Sequence, residues 1–106
     1  MDTPTYTIRQ GDQYLIPVVI QQGAKQITPD DCEGVRIGLD NVTAYYPGTL
    51  TYSDGAWCFP LTQEQSSAMT AGTVLFQVQV KFEGGDVVSS PTANVEIGES
   101  ILKGEW

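Results

Sequence analysis

The sequence predicts an all-β fold in which two antiparallel sheets pack face to face, and three observations carry that prediction. From residue 73 onward Val74, Phe76, Val78, Val80 and Phe82 alternate with Leu75, Gln77, Gln79, Lys81 and Glu83, a period of two that leaves little room for a helix. Turn signals recur at intervals of about ten residues, the spacing of a sandwich. The chain is 41% hydrophobic, with Val, Ile, Tyr and Phe recurring between Gly and Pro, so strands punctuated by turns are favoured over long helices.

Taken in order, residues 5–10 alternate Tyr6 and Ile8 with polar neighbours, and Gly11-Asp12 supplies a turn into a second run at residues 13–21. Pro17 has no N–H to give a central ladder, so this run is an edge strand or carries a bulge. The stretch QQGAK at residues 21–25 reads as a hairpin tip. The stretch TPDD at residues 28–31 reads as a single helical turn, with Pro following a capping Thr and acids at its start. Val35, Ile37 and Leu39 then form one face of another half-buried strand.

Residues 42–46, 50–52 and 56–61 give three short strands, separated by Pro47-Gly48 and by Ser53-Asp54-Gly55. Asp-Gly between such runs is a strong hairpin signal. Thr62 followed three residues later by Gln65 fits a capping box, implying a helix of roughly two turns that ends at Gly72. Residues 73–82 are the central strand. Gly84-Gly85 turns the chain into a final alternating set of Val87, Ser89, Pro91, Ala93, Val95 and Ile97, so that residues 73–98 form one long hairpin with a break or bulge expected at Pro91. The sum is an immunoglobulin-like antiparallel β-sandwich of about seven to eight strands with one short helix crossing between the sheets. Residues 1–98 form the sandwich domain, and residues 99–106 form a C-terminal tail.

At 106 residues the chain is long enough to bury roughly 65% of the surface its unfolded form exposes, without help from a metal or a disulfide. Thirteen acidic against five basic residues give a net charge of −8, a surface that repels phosphate backbones and anionic membranes. The longest apolar run, near residues 14–20, is too short to span a bilayer and is interrupted by Pro17. No basic segment followed by an apolar stretch opens the chain as given, so no secretory signal is expected. Cys32 and Cys58 are compatible with one bridge, two buried thiols or one of each; without a signal peptide, reduced thiols are the expectation.

The chemistry-bearing residues are sparse. The absence of histidine removes the commonest general base and the commonest zinc ligand, and two cysteines cannot close a structural zinc site. No phosphate-binding loop, dinucleotide turn or nucleophile elbow is present, so no catalytic residue, cofactor, metal or small-molecule substrate is expected. Asp30, Asp31 and Glu33 lack the spacing of a calcium loop and read as a solvated acidic turn. Tyr45, Tyr46, Tyr52 and Trp57 offer a platform for sugars or peptides, yet alternation across strands sends about half of them into the core. Ile101, Leu102 and Trp106 follow the last strand and either fold back on the sandwich or form a docking strip for another subunit.

The stretch LTQEQSSAMTAGTVLFQVQVKFEGGDVVSS at residues 61–90, followed by ILKGEW at residues 101–106, resembles small structural proteins of tailed phages and prophages of Gram-positive bacteria, akin to the N-terminal domain of baseplate upper proteins. The shared pattern runs from an L-T-Q-E helix start through Gly and a Gln-rich alternating strand to a Gly-containing turn, Ser and a closing strand. The N-terminal half, with Cys32, Cys58 and the Tyr45-Tyr46 pair, carries no part of it. The resemblance implies a non-enzymatic β-sandwich, made in the bacterial host cytoplasm and located in the virion, that assembles with itself or with other baseplate, tail or neck subunits. A carbohydrate- or peptide-binding module built on the aromatic residues is the alternative.

Overall fold

Alternating side chains place a polar and an apolar face on nearly every strand, and the computed structural model, which describes residues 6–102, shows how those faces are paired. The strands are β1 (Tyr6–Arg9), β2 (Tyr14–Val18), β3 (Gln21–Gln22), β4 (Lys25–Gln26), β5 (Gly34–Leu39), β6 (Val42–Tyr46), β7 (Thr51–Ser53), β8 (Ala56–Leu61), β9 (Gly72–Lys81), β10 (Val87–Ser89) and β11 (Ala93–Gly98). A single 3-10 turn (Pro29–Asp31) precedes β5, and the helix α1 (Gln63–Ala68) links β8 to β9. The larger sheet has the order β1-β11-β9-β5-β6, with β10 also on β9; the smaller has the order β2-β8-β7, and β3-β4 is a separate hairpin.

One hydrophobic core joins the two sheets. Ile37, Leu39, Val78, Val80, Val95 and Ile97 come from the larger sheet, and Ile16, Trp57, Phe59 and Leu61 from the smaller. The architecture is the all-β sandwich-like one that the alternation predicts. The central position of β9 follows from its length, since β5 covers one edge while β11 and β10 share the other.

Proline positions account for the smaller sheet. Leu15 lies opposite Pro60 and Pro17 opposite Cys58, so neither pair can exchange both ladder bonds. The ladder between β2 and β8 must therefore run through the residues between them. Pro17 then turns its missing N–H to the free edge of β2, as its sequence position predicts. Pro60 turns its own beyond Thr51, where β7 begins.

Two features depart from simple antiparallel hairpins. Gly11-Asp12 does not close a β1–β2 hairpin. It carries the chain from one sheet to the other, and β1 instead pairs in parallel with β11, Tyr6 opposite Val95 and Ile8 opposite Ile97. With β2 in the other sheet, the edge of β11 is the partner left for β1.

The expected hairpin of residues 73–98 is also split. Val88 lies opposite Val80, whereas Ala93 lies opposite Phe76, so the β10–β11 side carries one more residue than β9. Pro91 sits in this bulge, and the Ser90 hydroxyl takes the Val78 N–H at 3.0 Å where a backbone carbonyl would. The extra residue reverses parity. Val87 and Ser89, read from the sequence as sharing a face with Val95 and Ile97, lie on the outer face, and Val88 turns toward the groove between the sheets.

The helix begins as its capping box requires. Thr62 Oγ1 accepts from Gln65 N–H at 3.1 Å, and Gln65 Oε1 accepts from Thr62 N–H at 3.0 Å. It ends at Ala68 with Met69 as its cap, so Gly72, with φ near 128°, opens β9 and does not stop the helix. Ser66, fully enclosed, locks α1 to the β1–β2 corner: its hydroxyl accepts from Gly11 N–H at 3.0 Å and donates to the Asp12 carbonyl at 2.7 Å. Gln10 Nε2 adds a bond to the Met69 carbonyl at 2.8 Å.

Candidate functional site

The aromatic residues divide according to strand parity. Trp57, on the inner face of β8, has no exposed surface, and its indole N–H donates to the Ile27 carbonyl at 3.1 Å. Tyr46, from the facing sheet, and Tyr52, from neighbouring β7, both meet it edge-on with ring centroids 5.1 Å away. These three rings fasten the sheets together. Tyr45 points the other way and is 53% exposed. The four do not make a common platform, because alternation along β6 sends consecutive tyrosines to opposite faces.

The acidic turn is likewise used locally. Asp31 accepts from Thr28 N–H at 2.9 Å and from its hydroxyl at 3.0 Å, and pairs with Lys25 at 3.0 Å. The Thr28 backbone bond, then Lys25 and the Thr28 hydroxyl, hold its carboxyl below the ordinary range. Glu33 reaches Lys81 at 3.8 Å on the other side, and Asp30 is exposed. Among the described residues no three His, Cys, Asp or Glu side chains gather where they would hold a metal ion.

Both cysteines are free thiols. Cys32 is buried, and burial, reinforced by Asp31, pushes its thiol upward; Cys58 is half-buried on the smaller sheet. Tyr14 is raised in the same direction by burial and by its hydrogen bond with Tyr6. The Cys32 thiol donates to the Thr28 carbonyl at 3.6 Å and the Cys58 thiol to the Ala56 carbonyl at 3.8 Å.

The tail segment is the most exposed apolar feature among the described residues. Arg9 reaches the Glu99 carbonyl at 3.5 Å, and the Ser100 hydroxyl accepts from Leu102 N–H at 3.1 Å. This local turn leaves Ile101 94% and Leu102 80% exposed, beside α1 at the end of the sandwich. Up to Leu102 the tail does not fold back on the core. Trp106, the third member of the predicted strip, lies outside the described residues.

A second feature carries no signature in the sequence. Between the free edge of β2 and the inner face of β9 and β10, the sheets part to leave an apolar groove of about 480 Å³. Phe76, Phe82 and Val88 form one wall, and Val18, Val19 and Ile20 the other. A shorter apolar hollow continues it along β2 toward Tyr6. The only hint in the sequence is Pro91, which marks the bulge that swings Val88 into place.

Polar side chains bridge the strands on the outer face of the larger sheet. Arg36 donates to Gln79, Gln79 donates to the Ser89 hydroxyl at 2.9 Å, and Gln77 donates to the Ser90 carbonyl at 2.8 Å. This ladder ties β5, β9 and β10 together and explains why the central strand alternates with Gln. No described helix is long and apolar enough to cross a membrane. Comparison of the chain with protein-family models, with curated proteins and with solved structures finds no match.

Proposed function

We propose that this chain is a non-enzymatic structural subunit of a phage or prophage virion, in a baseplate, tail or neck, and that it acts by protein–protein assembly. The observation that carries the reading is the exposed Ile101-Leu102 pair, held outward by the Ser100 turn. Aliphatic side chains exposed to this degree, well beyond the 41–58% of the other exposed large hydrophobics and outside the continuous core, mark a contact surface. The direction toward a virion comes from the resemblance at residues 61–90 and 101–106. The capping box and the Gln-rich strand on which it rests are the joint that links the two sheets.

The aromatic residues do not favour the sugar- or peptide-binding alternative, because Trp57, its strongest stacking group, is sealed in the core. Mass spectrometry of purified particles, counting this chain against the major capsid protein, tests the proposal. A fixed copy number below that of the capsid protein is expected. Absence of the chain from intact particles overturns it.

A further inference from the structure

We infer that the groove between β2 and β9–β10 receives the Ile101-Leu102 segment of a second copy of this chain, so that copies associate head to tail. The inference rests on the assembly reading above and names the partner and the contact. At about 480 Å³ the groove falls within the range of ~300–1,000 Å³ that holds a drug-sized ligand, enough for two aliphatic side chains. Its apolar walls match the two most exposed apolar side chains among the described residues.

Position excludes the molecule's own Ile101 and Leu102 as the occupants. Ile97 lies opposite Gly72, at the start of β9, and the pair follows shortly after it beside α1. The groove is lined by residues from Phe76 to Phe82, roughly 13–34 Å farther along β9 at the rise of an extended strand. Knob and hole therefore sit toward opposite ends of one molecule. Such an arrangement is heterologous, and it builds rings or filaments according to the rotation between copies.

The groove itself adds no charge repulsion to this contact. Two copies at −8 repel wherever carboxylates face each other, and the segment to be inserted carries Glu99. No residue lining the groove is charged. Gln21 and Gln22, both exposed, also line it, and their amides offer hydrogen bonds to an extended backbone.

The test is sedimentation velocity on the full chain over a concentration series, with two kinds of variant. Ile101→Asp combined with Leu102→Asp disables the knob, and Val88→Asp disables the hole; all three positions are exposed, and thermal melts confirm that each variant folds. Should Val88→Asp fail to fold, Val19→Asp, 57% exposed on the opposite wall, replaces it. Wild type is expected to associate with rising concentration, and each variant to lose at least about 100-fold in association constant, since a carboxylate enters an apolar contact. Mixed together, the two variants are expected to form dimers and nothing larger, because one supplies only a hole and the other only a knob. Wild type that stays monomeric, association that survives in either variant, or a mixture that stays monomeric overturns the inference. Particle mass spectrometry reports separately: a monomeric chain still found in virions refutes the groove contact alone, and a self-associating chain missing from virions refutes the virion reading alone.

Discussion

Replacing Ser66 by Ala should destabilise the protein far more than the same change at its neighbour Ser67. Ser66 is fully enclosed, and its hydroxyl makes two bonds to the β1–β2 corner, one from Gly11 N–H at 3.0 Å and one to the Asp12 carbonyl at 2.7 Å. Each such bond contributes a net ~0.5–1.5 kcal/mol, and groups left without a partner on burial raise the loss toward about 1–3 kcal/mol in total. Against this, Ala favours a helix interior over Ser by roughly 0.5 kcal/mol. The balance is a destabilisation of about 0.5–2.5 kcal/mol. For a domain near one hundred residues that corresponds to a fall in Tm of roughly 2–20 °C. Ser67 is exposed on the same helix and should change by no more than ~0.5 kcal/mol, with Ala on the favourable side. Urea unfolding followed by far-UV circular dichroism, with both variants and wild type at one pH, gives the comparison. A Ser66→Ala midpoint indistinguishable from that of Ser67→Ala would refute the claim that this hydroxyl fastens the helix to the corner.

Two further outcomes follow from the core and the acidic turn. Trp57→Phe removes the donor to the Ile27 carbonyl and leaves space between Tyr46 and Tyr52, so a loss of about 2–4 kcal/mol is expected in the same assay; a loss under 1 kcal/mol would show that the indole bond contributes little. The Asp31 carboxyl is held below its ordinary value of 3.8 by the Thr28 amide, Lys25 and the Thr28 hydroxyl. A depressed folded value means stability that is present above that ordinary value and lost as pH falls through the folded one. Wild type should therefore lose Tm more steeply below about pH 4 than Asp31→Asn does, and parallel curves would exclude Asp31 as a source of acid sensitivity.

Much of the fold is legible because it is local. Thr62 and Gln65 announce their reciprocal bonds three residues apart, and Pro17 announces an edge by lacking a donor. Asp54-Gly55 and Gly84-Gly85 announce turns because their backbones take positive φ, 52° and 81° at the first and 95° and 101° at the second. The candidate contact was half legible. Ile101 and Leu102 stand out as apolar residues beyond the last strand, but the groove is assembled from β2, β9 and β10 and has no contiguous signature.

What the sequence alone determined is where the longer strands run and the faces within each, since a period of two is a property of the extended backbone and needs no partner. The structure divides them further, into eleven strands among the described residues where about seven to eight were expected. Only the tertiary structure decided which strands meet. The parallel β1–β11 pair depends on a corner that moves β1 and β2 into different sheets, and the single residue added at the bulge reverses the faces of β10 relative to β11. The aromatic residues make the same point. Tyr46 and Trp57 come from different sheets and touch only when those sheets close on one another, so proximity in sequence suggested a surface platform where long-range packing built a core.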